Sequence, residues 1–193
     1  GQSITSLEFQ PDLIWFKSRS HARNHSWWNS VVGRTKGLFG DLNEAEFTSA
    51  AGRDLASFDI SGFTVGEPEN SSSTNNNGES LVAWCWKAGG AAVTNNDGTV
   101  SGNVSANPEA GFSIVQYTGS GGHVTRGHGL GKKPQFIIYR RYSEGSSDWF
   151  INLDDSALPE LGYDREYLRL NTNGGVEGPN GNIAPSVAPD NSA

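Results

Sequence analysis

The adjacent pair Trp27 and Trp28 is the feature of this chain best suited to binding chemistry. An indole face stacks on the C–H face of a sugar ring because the ring hydrogens carry partial positive charge and the π face is negative. Neighbours in a strand point to opposite faces, so the two cannot share one core layer. One of them is therefore expected to be exposed, edge-covered or at an interface. The alternative is that both are packed, the outer one beneath a second sheet or a partner chain. With His25 and Trp149 they form the candidate glycan-binding set, to which no catalytic residue and no metal ligand is added. Trp84 and Trp86, two residues apart, share a face and are expected in the core. Cys85 then turns the other way as an inert buried thiol.

Other residue types suggest chemistry less well. His21 and His25 have the i, i+4 spacing of a zinc pair on a helix, but no Glu follows His21 and the flanking residues read as loop. His128 stands between Gly127 and Gly129, which turn geometry explains. Calcium takes about six to eight oxygens, and Glu67 to Glu79, Asn95-Asn96-Asp97 and Asp154-Asp155 could offer some, without EF-hand spacing. No cofactor is expected beyond calcium at such loops. A glycosidase needs two carboxylates flanking the sugar. Asp148, Asp154, Asp155, Glu160, Asp164 and Glu166 supply carboxylates, but no spacing that defines a site. No Gly-x-Ser-x-Gly elbow, phosphate loop or zinc motif occurs, so the chain is not expected to be an enzyme. Polysaccharide degradation remains a minor alternative.

The elements that must position these residues are short strands. Leu13-Ile14-Trp15-Phe16-Lys17, Leu81 to Lys87, Phe112 to Thr118, Phe136 to Arg141 and Trp149 to Leu153 read as strands separated by Gly/Asn/Ser/Asp turns. Glycine is abundant, at 25 of 193 residues, which favours many turns over long helices. Asp41 to Ala51 and Leu158 to Leu161 could each form a helical turn or two. The expected fold is all-β: an antiparallel β-sandwich or jelly roll. The formal charge of −7 argues against nucleic acid and anionic membranes as partners. No apolar run approaches the about 20 residues of a spanning helix, so no membrane insertion is expected. One cysteine excludes a disulfide within the chain. The chain begins with Gly and lacks Met, which suggests a processed product or part of something longer.

A weak internal repeat links Pro11 to Ser20 with Pro134 to Ser143, each followed by an aromatic strand, Ser26 to Asn29 and Asp148 to Asn152. The expected division is a first β unit or half over 1–110, a second, related one over 111–170, and an extended arm over 171–193. An incomplete second unit leaves edge strands needing cover, which favours oligomerisation.

Several blocks carry a family resemblance. They are Phe9 to Lys17, Gly62 to Gly66, Asn77 to Gly90, Gly111 to Gly119 and Gly127 to Pro134, spanning about residues 7 to 153 in one order. Together they resemble a family of phage tail-fibre and virion-surface modules of marine and cyanobacterial viruses. The resemblance implies a concanavalin-like sandwich in a virion component, located on the virion or outside the cell and serving host attachment. The partners implied are host surface glycan and other virion chains, a homo-oligomer with a trimer favoured. A purely structural capsid-decoration or fibre-assembly role is the alternative. Glu69 and the tail after Asn171 depart from the pattern.

Overall fold

The computed structural model describes residues 1–69, 72–154 and 167–177. Among these residues the chain is all-β, with no helix, and its strands pair antiparallel. Strands between Gln2 and Trp86 build a sandwich. One layer has three strands, β1 (Gln2–Ile4), β6 (Leu55–Asp59) and β7 (Gly62–Val65), in the order β1-β7-β6. The other has five: β2 (Leu13–Ser18), β3 (Ser26–Asn29), β4 (Lys36–Phe39), β5 (Phe47–Thr48) and β8 (Leu81–Trp86), in the order β5-β4-β3-β2-β8. Strand β8 returns after a long connection to lie beside β2, a Greek-key arrangement.

The alternation of β2 assigns its faces. Ile14 and Phe16 point inward with Trp28 of β3, against Leu55, Phe63 and Val65 of the smaller sheet. Phe16 meets Trp28 and Phe63 edge-on, at centroid distances of 5.7 and 5.3 Å. Leu13, Trp15 and Lys17 point to the other face. The run Leu13 to Phe16 is continuously apolar because that outer face is also partly covered.

Two buried aspartates clasp the loops. Asp12 accepts hydrogen bonds from Ser30 Oγ at 2.7 Å, Ala88 N at 2.8 Å and Gly90 N at 3.2 Å. It thus ties the start of β2 to the ends of β3 and β8. Asp54, fully buried at φ 41°, accepts from Ser49 Oγ, Glu69 N, Ser72 Oγ and Thr74 Oγ1. The backbones meet so closely here that a Cβ on Gly66 would lie 1.7 Å from the Gly52 carbonyl oxygen.

The remaining strands form two further sheets. One has β9 (Val93–Asn95), β10 (Gly102–Asn107) and β11 (Phe112–Gln116), in the order β11-β10-β9. The other has β12 (Phe136–Tyr139), β13 (Phe150–Leu153) and β14 (Leu168–Arg169). The sequence repeat has a structural counterpart, since β12-β13-β14 is an antiparallel meander like β2-β3-β4. The β10–β11 hairpin spans residue 110. Asp41 to Ala51, where a helical turn or two was expected, forms no helix; it makes a turn and the short β5. Without an apolar stripe, that segment gains more by pairing Phe47 beside Gly37. Leu158 to Leu161 lies outside the described residues.

Candidate functional site

The outer face of the five-stranded sheet carries a row of indoles. Registers place Trp84 of β8 opposite Trp15 of β2, Trp15 opposite Trp27 of β3, and Trp27 opposite Leu38 of β4. The rings touch in sequence: Trp84 to Trp15 at 5.1 Å, Trp15 to Trp27 at 4.8 Å, and Trp27 to Trp149 at 5.0 Å between centroids. Trp149 arrives from the segment before β13 and donates its Nε1–H to the Phe39 carbonyl at 2.8 Å. Arg140 lies over the Trp149 ring and donates to the carbonyls of Phe39, Leu42 and Glu44. The second meander is thereby latched onto the first. Gly40 closes the inner end, where a Cβ would lie 2.4 Å from Trp27 Nε1.

The row is closed at one end and open at the other. Trp27 and Trp149 are buried, whereas Trp84 is 44% exposed. Trp28 is fully buried on the opposite face. So of the expected glycan-binding residues, Trp28 is core, and Trp27 and Trp149 bury each other. The outer tryptophan is covered by the chain itself. The core expectation for Trp84 is overturned in the opposite sense, since its ring is exposed. Its strand lies at the sheet edge, and no strand among the described residues flanks it beyond β2. Trp86 is half-buried against Phe112, at 6.4 Å between centroids. Cys85 faces inward beside the core and is half-buried, with its thiol pushed up to about 11 by desolvation.

His25 does join the row. Its ring lies 5.5 Å from that of Trp15, and its Nδ1 accepts the Trp15 Nε1–H at 3.0 Å. That bond fixes Trp15 and leaves the second ring nitrogen of neutral His25 as a donor. The His25 backbone N–H is held by Asp41 Oδ1 at 2.8 Å. Burial lowers the His25 pKa, Asp41 opposes the shift, and Lys17 on the neighbouring strand adds to it. His128 is lowered too, by desolvation. Both depressed values have one sign. Their contribution to stability is complete above the ordinary histidine value near 6.5 and is lost as pH falls below it. Protonated His25 can no longer accept from Trp15. Thermal melts from pH 7 to pH 5 are expected to show falling stability, with a shallower slope in His25→Asn. An unchanged slope in that variant refutes the assignment.

The sequence carried a further signal at this edge. Lys17, Arg19, His21, Arg23 and His25 occupy alternate positions, from the end of β2 through the irregular connection to β3. Arg23 is neutralised by Glu79 Oε1, to which its Nε and Nη2 donate at 2.9 and 2.7 Å. Lys17 donates to the Ser18 carbonyl, and Arg19 is exposed. Neither has an ion-pair partner among the described residues.

The other candidates do not converge. Glu69 accepts from Ala50 N and sits in the Asp54 clasp, Glu67 pairs with Arg53, and Asp154 pairs with Lys133. Asn95 and Asp97 bond each other in a turn. Among the described residues no three His, Cys, Asp or Glu side chains group as metal ligands. Asp148 is bound by Arg169 and Asn171. Asp155, Glu160, Asp164 and Glu166 lie outside the described residues. His21 and His25 both sit in the irregular segment before β3 rather than on a helix. His128 lines a shallow cleft of about 230 Å³ with Asp97, Pro108 and Leu130.

Over residues 1–192 the chain matches the family described as Domain of unknown function (DUF7483). The chain belongs to this family. No curated protein and no solved structure matches the chain. No helix among the described residues is long and apolar enough to cross a membrane.

Proposed function

We propose that the chain is a non-catalytic module of a phage virion surface or tail fibre that binds host glycan, with the sugar ring stacked on Trp84 and Trp15. The observation that carries the reading is the 44% exposure of Trp84 at the end of a row of indoles in which Trp15 is partly buried and Trp27 and Trp149 are buried. A large aromatic left open on a rigid backing loses little conformational freedom when a ligand covers it. The sheet thus holds its aromatic surface preformed. The phage setting rests on the sequence blocks described above, several of which place residues at this site: Asp12 to Lys17 form β2 and its clasp, and Leu81 to Gly90 form β8 and its clasp.

Glycan-array binding by the intact chain tests the reading. Trp84→Ala is expected to weaken binding about tenfold or more, as loss of a stacking partner does. Trp86→Ala, on the same face but packed against Phe112, is the comparison. Equal glycan binding by wild type and Trp84→Ala refutes the site.

A structural role is the second reading, favoured by the position of Trp84 on an edge strand. There the exposed ring is covered by another copy in an oligomer, a trimer being the fibre symmetry. Light scattering distinguishes the two: Trp84→Ala changes the oligomeric state in the structural reading and leaves it intact in the binding one.

A further inference from the structure

We infer that the Trp84–Trp15 platform selects acidic saccharides, with Lys17 and Arg19 receiving the ligand's carboxylate; this deepens the glycan reading and rests on it. The register brings the cations to the rings. Lys17 follows Trp15 by two residues on the same strand and pairs across β8 with Val82, next to Trp84 on the outer face. Arg19 N donates to the Ser80 carbonyl at 2.7 Å, which holds the residue just after β2 against the start of β8, next to Lys17. A sugar ring lying on Trp84 and Trp15 therefore has two cations along one edge.

Charge accounting singles out these two. The basic run offers five groups, but Arg23 is tied to Glu79, and His21 lies 3.9 Å from the same carboxylate. His25 is neutral and bonded to Trp15. Lys17 and Arg19 remain uncompensated in a chain whose formal charge is −7. Two of the three Lys17 ammonium hydrogens stay available, since one is used by Ser18. At physiological salt the Debye length is about 8 Å, so Lys17 and Arg19 act on a ligand at the ring together with Asp41, the carboxylate that holds the His25 N–H. Two cations against one carboxylate leave the local charge positive while distant acidic residues are screened. Arginine adds a planar fork that matches a carboxylate. A neutral sugar leaves both cations without use.

Titration calorimetry with trigalacturonate, the neutral galactose trisaccharide, a sulfated galactan fragment and a single-stranded oligonucleotide tests this on the full chain. Trigalacturonate is expected to bind about tenfold tighter than the neutral trisaccharide, with affinity falling as salt rises. Lys17→Gln and Arg19→Gln are each expected to cost three- to fivefold toward the acidic sugar only, about what one partly exposed charge contact is worth. Melting curves confirm that the variants fold. Equal affinity for acidic and neutral sugars, unchanged in both variants, overturns the inference while the platform stands, provided Trp84→Ala still weakens both. No saccharide binding at all overturns the platform as well. Tighter binding of the sulfated fragment than of trigalacturonate overturns the carboxylate assignment in favour of sulfate. Preference for the oligonucleotide overturns the inference in favour of nucleic acid.

Discussion

Asp54→Ala is expected to lower the melting temperature by about 6–12 °C, from a loss of about 3 kcal/mol or more. The carboxylate is fully buried and is the acceptor for four donors: Ser49 Oγ, Glu69 N, Ser72 Oγ and Thr74 Oγ1. Each buried donor left unpaired costs about 1–3 kcal/mol. Some of that is recovered, because Ser72 and Thr74 lie 3.0 Å apart and can bond each other, and Ser49 can turn toward Glu69. The Glu69 amide has no such freedom. Alanine is also strained at φ 41°, a left-handed backbone that aspartate and asparagine tolerate better. For a domain of this size each kcal/mol shifts the midpoint by about 2–4 °C. Asp54→Asn separates the two effects: it relieves the strain yet turns an amide toward donors. If both variants melt within 2 °C of wild type, the clasp is not what holds the β5–β6 connection to the segment around Ser72.

The second large effect is at Trp28. Trp28→Ala is expected to cost about 3–5 kcal/mol, because a fully buried indole leaves a cavity among Ile14, Phe16, Leu55 and Phe63 that the two sheets cannot close. Trp28→Phe should recover much of it. The indole Nε1–H is buried without a hydrogen-bond partner, so phenylalanine removes volume and an unpaired donor together. Trp84→Ala provides the contrast, with a melting point near wild type and lost glycan binding. Denaturant melts of the three variants read the prediction directly. A Trp84→Ala variant as damaged as Trp28→Ala would place Trp84 in the core after all.

The two tryptophans show how much the sequence discloses. Alternation along β2 and β3 says that Trp27 and Trp28 face opposite sides, and they do. It cannot say which side is covered. That depends on Trp149, 122 residues away, whose docking through Arg140 and the Phe39 carbonyl is a tertiary event with no local signal. The basic residues at alternate positions from Lys17 to His25 were visible in the chain, but their meaning came only with the β2–β8 register beside Trp84.

The sequence by itself determined the all-β class, the principal strands, the hairpin that recurs as β2–β3 and β12–β13, and the opposed faces of the tryptophan pair. Period-two patterning and turn residues act within a few positions, so a linear reading recovers them. Only the tertiary structure decided that Trp84, not Trp27 or Trp28, is the open ring. Exposure is a property of what packs above a residue. For Trp84 that follows from the edge position of β8, and for Trp27 from a segment that the chain brings back more than a hundred residues later.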